Sequence, residues 1–226
     1  MILKLTVGCG KTVLFSAIVK YIESSRAVHN RTCLGYYYCR FQNESDGQLT
    51  LILRRWIAQV CDKNLIPESL QGLYRSCHDV YPARNPTSEE LEDVLLDILR
   101  NRNEENAGAA DFQDPDNPQK ILLLADALDE ISEDHSKNGE VFGLLSRIAR
   151  ESFRNVFILA TSRDRADIGE YLKPTFDDLE IDYDAVNDEI GLYVLRAIRS
   201  SPRLARQSQE IKEAIRSRLA DQANGM

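Results

Sequence analysis

Five residues near the start of the chain, Gly8-Cys9-Gly10-Lys11-Thr12, carry its sharpest chemical signal. An apolar run, Ile2 to Leu5, precedes them, and an amphipathic stretch, Thr12 to Ser24, follows. Two glycines let backbone N–H groups turn inward around an anion, and a helix starting there adds the positive end of its dipole. Lys11 supplies an ammonium for the terminal phosphates of a nucleotide, and the Thr12 hydroxyl is placed to reach Mg2+. Gly8, Cys9, Gly10, Lys11, Thr12 and Val13 are therefore the candidate cofactor-binding residues. The full phosphate-loop pattern has another glycine five positions before Gly10. Leu5 stands there, and its β-carbon crowds the turn. The competing reading is a plain turn with a helix cap.

Two further signals follow in order. The run Ile121 to Ala125 ends in Asp126, with Asp129 and Glu130 just beyond. A carboxylate at the end of a buried parallel strand is where a nucleotide-borne Mg2+ is held. This makes Asp126, with Thr12, the candidate metal ligand. Asp129 or Glu130 would orient or activate an attacking water. The competing reading is an acidic loop start with solvated charges. The run Val156 to Ala160 ends in Thr161-Ser162-Arg163, and Arg163 is the candidate group to meet a terminal phosphate or a carboxylate, the competing reading being a helix-cap serine with a surface arginine. Asp129, Glu130 and Arg163 are thus the catalytic candidates.

Positioning these residues requires a sheet. Ile121 to Ala125 and Val156 to Ala160 are continuous apolar runs, the pattern of parallel strands covered on both faces. Leu34 to Phe41 is an aromatic strand, and Leu179 to Tyr183 alternates like an edge strand. Between the strands lie amphipathic stretches. Thr12 to Ser24 carries a stripe of Val13, Leu14, Ala17, Ile18 and Tyr21. Leu49 to Cys61 carries Leu49, Ile52, Leu53, Trp56, Ile57 and Val60. Ser88 to Arg100 opens with a Thr87/Glu90 capping box and carries Leu91, Val94, Leu95 and Ile98. Val141 to Glu151, Asp188 to Arg199 and Gln209 to Gln222 complete the helices. Asn101 to Pro118 reads as an exposed polar loop. The alternation predicts an α/β fold, and a composition shift near Ile181 marks a small helical appendage.

Composition bounds the alternatives. The 226 residues are 43% hydrophobic and 28% charged, with a net charge of −8. That is globular usage, and the acidic balance opposes nucleic-acid binding by bulk electrostatics. Five cysteines without a C-x-x-C pair suggest neither a disulfide framework nor a zinc module. His29, His78 and His135 are scattered and read as solvated side chains. No apolar run suits a membrane span and no secretory leader is visible. The expected location is cytoplasmic. Tyr36, Tyr37 and Tyr38 read as packing residues on alternating faces. The arginines at 54, 55 and from 196 to 206 read as exposed helix faces.

The segments GCGKTVL (Gly8 to Leu14), LGYYYCRF (Leu34 to Phe41), QLTLILRRWIAQVC (Gln48 to Cys61), ILLLADALDE (Ile121 to Glu130) and VFILATSRD (Val156 to Asp164) resemble the NACHT branch of the STAND class of signal-transduction ATPases. Within it they are most similar to the nephrocystin-like NACHT domains of filamentous fungi. The likeness runs over nearly the whole chain. It implies a three-layer P-loop NTPase sandwich with five parallel strands in the order 5-1-4-3-2, helices on both faces and a helical C-terminal appendage. Residues 1–183 would be the core, and 184–226 the start of the helical region that follows it. The resemblance further implies a Mg2+-dependent switch that binds ATP, or GTP as second choice, and hydrolyses it slowly. Such switches work in signalling or incompatibility assemblies, with self-association or effector- and repeat-bearing partners. No nucleic acid or membrane contact is implied. The chain looks like a bare nucleotide-binding core or a fragment of a longer multidomain protein. Two alternatives stay open. One is an interaction module with a degenerate loop that works without nucleotide. The other, ranked last, is a small-molecule kinase, for which no paired-arginine lid is visible.

Overall fold

The two continuous apolar runs form the middle of the sheet. In a computed structural model of the chain, Lys120–Asp126 (β3) and Val156–Ser162 (β4) pair in parallel, from Ile121 opposite Val156 to Ala125 opposite Ala160. The structure describes residues 1–4, 10–29, 32–40, 47–61, 66–79, 81–108, 120–131, 135–151, 153–180 and 183–223. Thr32–Tyr38 (β2) pairs with the free side of β3. Ile2–Lys4 (β1) lies between β4 and Asp178–Glu180 (β5). Every pairing is parallel, and the order β2-β3-β4-β1-β5 is the expected 5-1-4-3-2 read from the other edge. The edge strand expected over Leu179 to Tyr183 is corrected in its bounds: β5 is an edge but covers Asp178–Glu180, residues 181–182 lie outside the described ones, and Tyr183 already belongs to a helix.

Parallel neighbours need crossovers, and helices supply them. These are Lys11–His29 (α1), Gln48–Val60 (α2), Glu68–His78 (α3), Ser88–Gly108 (α4), His135–Arg150 (α5) and Ala166–Leu172 (α6). Beyond β5 come Tyr183–Ser200 (α7), Pro202–Ala205 (α8) and Gln209–Ala223 (α9). Within this C-terminal group α7 and α9 pack on each other, and Val194 and Ile198 are buried. Arg196, Arg199, Arg203 and Arg206 are exposed.

Strand alternation divides the interior in two. Ile121, Leu123 and Ala125 face the larger cluster, with Leu53 and Trp56 of α2, Leu95 and Leu99 of α4, and Phe142 and Leu144 of α5. Leu124 faces the smaller cluster, with Phe15 and Val19 of α1 and Leu34 of β2. All six stripe residues expected on α2 are buried, as are the four on α4. Tyr36 and Tyr38 meet edge-on at 6.0 Å on the α1 side, while Tyr37 packs on the other.

The stripe expected on α1 holds at Ile18, which packs against the smaller cluster, but not at its ends. Val13 and Tyr21 are 75% and 74% exposed, and the helix buries Phe15 and Val19, flanked by Ile18 and Ile22. Phe15 decides the rotation, because its ring sits edge-on to Tyr38 at 5.0 Å. The loop expected from Asn101 is also corrected, since α4 continues to Gly108. Two arginines at the start of this stretch find partners elsewhere: Arg100 pairs with Glu151 at 2.6 Å, and Arg102 Nη1 donates to Cys33 Sγ at 3.0 Å. Residues 109–119 lie outside the described ones. The α4 start is as expected. Thr87 N–H donates to Glu90 at 2.9 Å, and Glu90 N–H to Thr87 Oγ1 at 3.2 Å. Arg84 and this capping geometry hold the Glu90 carboxyl down at about 2.

Helix α2 lies unusually close to β2. The Trp56 indole donates to the Leu124 carbonyl at 3.3 Å, and Gln59 Oε1 accepts the Tyr36 backbone N–H at 2.7 Å. Gly35 permits the approach, because a β-carbon there would stand 3.1 Å from Leu123, 3.2 Å from Trp56 and 3.3 Å from Val60. All three are core atoms with little room to yield. Gly35→Ala should therefore destabilise the fold by about 1–3 kcal/mol, read as a lowered midpoint in denaturant unfolding.

Candidate functional site

Register brings the acidic and polar strand ends together. Ala125 stands opposite Ala160, so Asp126 is level with Thr161, and Thr161 is in turn level with Leu3 of β1. Alternation turns Asp126 and Thr161 toward the α1 face. Thr161 Oγ1 donates to Asp126 Oδ1 at 2.5 Å and accepts the Ala127 backbone N–H at 2.8 Å. Asp126 and Thr161 are 1% and 0% exposed. Ala127 adopts the left-handed conformation, with φ 55° and ψ 54°. An L-residue rarely holds that geometry unless its surroundings impose it. Here the chain leaves β3 by a sharp exit into a 3-10 turn, Leu128–Glu130, with Leu128 buried.

That turn hands its two acids to different surroundings. Asp129 Oδ1 accepts the Arg163 backbone N–H at 2.9 Å, and its Oδ2 meets Arg163 Nε at 2.8 Å. Glu130 is half-buried and forms no side-chain hydrogen bond or ion pair with a described residue.

The other half of the site opens α1. Gly10 has φ +79°, a conformation that favours glycine, and its carbonyl accepts the Leu14 N–H at 2.9 Å to start the helix. Lys11 is half-buried, while Thr12 and Val13 are exposed. Gly8, Cys9 and Leu5 lie outside the described residues. The α1 N-terminus reaches the same sheet edge as Asp126. Ser16 Oγ lies 3.0 Å from the Tyr38 hydroxyl, and Tyr38 stands directly opposite Asp126. Gly10, Lys11, Thr12, Asp126, Asp129, Glu130 and Arg163 therefore share one edge, assembled from α1, β3, the 3-10 turn and the end of β4.

Three neighbours were not visible as site residues in the sequence. Thr161 lay within the polar strand end, but its link to Asp126 depends on register. Cys39 N–H donates to the Asp126 carbonyl at 3.0 Å. Burial, then the charges of Asp126, Glu130 and Asp129, push the Cys39 thiol far above its usual range, so it stays protonated. Lys4, at the end of β1, pairs with Asp178 at 2.8 Å and Asp164 at 3.4 Å, and ties β5 and the segment after β4 to that strand. Its hydrogen bond to Asp178 raises its pKa.

Among the described residues, no three His, Cys, Asp or Glu side chains are grouped to hold a metal. Mg2+ characteristically takes one or two protein ligands and completes its octahedron with phosphate oxygens and water. Asp126 and Thr12, the two oxygen donors expected from the sequence, would make up such a one- or two-residue set. No helix among the described residues is long and apolar enough to cross a membrane.

A parallel sheet in this order, with a Gly-Lys-Thr helix start and an acid-tipped strand at one edge, defines a module of the P-loop NTPase type. The chain belongs to the nephrocystin 3 N-terminal family, whose model matches residues 1–163. Comparison with curated proteins finds no match. Among solved structures, one chain of a Drosophila ORC assembly bound to AT-rich DNA and Cdc6 is similar to this one. It is 15% identical over 97% of this chain and 74% of that one, with a TM-score of 0.36. A likeness of that size carries no functional argument.

The Thr161 hydroxyl serves two buried partners at once. Thr161→Val should leave the Asp126 carboxylate and the Ala127 N–H short of a partner. The expected loss is about 1–3 kcal/mol per abandoned group, measured by denaturant unfolding, whereas Thr161→Ser should retain most of the stability.

Proposed function

We propose that this chain is a nucleotide-binding switch module of the NACHT type, which takes ATP together with Mg2+ and hydrolyses it slowly. One observation carries this reading: the Gly10-Lys11-Thr12 helix start and the Asp126 carboxylate share one edge and one face of the sheet. The backbone N–H groups of the first turn and the Lys11 ammonium would hold the β- and γ-phosphates. Thr12 and Asp126 would hold the Mg2+, which when bound neutralises charge on the phosphates. Glu130 is the acid whose exposure suits it to orient water, and Arg163 faces the edge where a terminal phosphate would end. Work of this kind is mainly positioning and charge stabilisation.

ATP is favoured over GTP because no guanine-reading N-K-x-D sequence is present. Residues 1–183 form the core of the proposal. Residues 184–226 begin a helical region that relays the nucleotide state to partners, which would be further copies of the chain or effector- and repeat-bearing proteins. A cytoplasmic signalling or incompatibility assembly is the proposed setting.

Two measurements test the reading. In titration calorimetry the unaltered chain should bind Mg-ATP, Lys11→Ala should abolish the heat, and Asp126→Asn should bind ATP with no dependence on Mg2+. Undiminished affinity in Lys11→Ala rules out this site. A ligand that binds only the folded state must also raise stability. Excess Mg-ATP should therefore raise the melting temperature, and an unmoved melting temperature favours a module that works without nucleotide.

A further inference from the structure

The adjacent acids Asp129 and Glu130 look interchangeable in sequence, yet their surroundings separate them. The Asp129 side chain is 2% exposed, and each of its oxygens faces Arg163, one at the backbone N–H and one at Nε. The same segment grips the turn once more, through Arg165 Nη1 and the Asp129 carbonyl at 3.4 Å. A general base needs a lone pair aimed at the water it activates. Those of Asp129 are engaged, one oxygen by the Arg163 amide and the other by its guanidinium, and withdrawing that cation would leave a buried charge uncompensated. Arg163 itself is 46% exposed. Pairing through Nε leaves the donors of its two outer nitrogens available at the open edge, in a plane fixed by the carboxylate.

We propose that Asp129 is a positioning residue that holds Arg163 by its amide and its Nε, so that the outer guanidinium nitrogens are aimed at the terminal phosphate of a nucleoside triphosphate. This assignment rests on the nucleotide reading above and deepens it. The held guanidinium discriminates a triphosphate from a diphosphate, because only the former reaches it. An arginine fixed before binding loses little rotamer freedom on contact, and the discrimination comes from that preorganisation. Water orientation is left to Glu130.

The test is the preference for Mg-ATP over Mg-ADP, measured by calorimetry on the full chain, together with steady-state hydrolysis. Arg163→Ala and Asp129→Asn should each cut the preference about tenfold, the scale of one charge-assisted hydrogen bond. The double variant should be no worse than Arg163→Ala alone. Glu130→Gln should keep the preference and lose hydrolysis. If Asp129→Asn keeps the preference but loses hydrolysis, Asp129 is the base and the assignment is overturned. Additive losses in the double variant overturn it too. Should Asp129→Asn fail to fold, Arg163→Lys decides. It keeps the charge but has no Nε to be held, so a retained preference counts against the proposal. Absence of any nucleotide binding by the unaltered chain overturns the nucleotide reading and this assignment together, whereas unchanged discrimination in a chain that binds overturns the assignment alone.

Discussion

One hydroxyl group organises the carboxyl edge of this protein. Thr161 gives its only hydrogen to Asp126 and takes the N–H of Ala127 in return. Both bonds are buried, where an unmet polar group is most unfavourable. The first fixes the rotamer of an acid that would otherwise be a costly interior charge. The second holds Ala127 in a backbone conformation it would not choose. From that bend the chain drops Leu128 into the core and swings Asp129 back toward the residue two positions beyond Thr161. The acid on β3, the turn after it and the arginine after β4 are thus a single unit fastened at one point. That point exists because β3 and β4 pair in a register that sets residue 126 level with residue 161.

The two faces of the sheet carry different loads. The side with α2, α4 and α5 contains the large cluster and the close Gly35 contact, and most burial is there. The α1 side is thinner: Phe15, Val19, Leu34 and Leu124 form its buried centre, and Phe157 on the same face is 48% exposed. The site opens on this thinner side, beneath the helix that starts at Lys11. Sub-global opening follows local burial, so the layer carrying the candidate phosphate-binding groups is the one least committed to the core.

Much of this was legible in the chain itself. Residues 121–125 and 156–160 are apolar without interruption because those strands lie in the middle of the sheet between the helix layers, although Phe157 on the thinner side stays exposed. The polar residues ending each run marked the edge where chemistry gathers. The stripes on α2 and α4 followed from a period of 3.6 residues. Helix α1 was misread because it offers two apolar stripes, and hydrophobicity alone cannot choose between them. The fit of Phe15 against Tyr38 makes the choice. The polar end of α4 escaped for a related reason: Arg100 and Arg102 are held by Glu151 and Cys33, partners far away in sequence. Glu68–His78 carries few buried side chains and so gave little periodic signal. At the site, residue types announced a phosphate loop and an acidic strand end. Local sequence could not express that Asp129 turns inward and Glu130 does not, since this depends on the bend at Ala127 and on where β4 ends.

The bond between Gln59 and the outward-facing amide of Tyr36 bears on how this molecule meets its neighbours. A seven-residue border strand such as β2 offers its unpaired amides as a template for another polypeptide to zip onto. Here a side chain from the overlying helix plugs that row near its middle. The opposite border, β5, is only three residues long. Lateral growth of the sheet from one molecule into the next is therefore discouraged at both rims, which leaves helices and loops as the surfaces open to a partner.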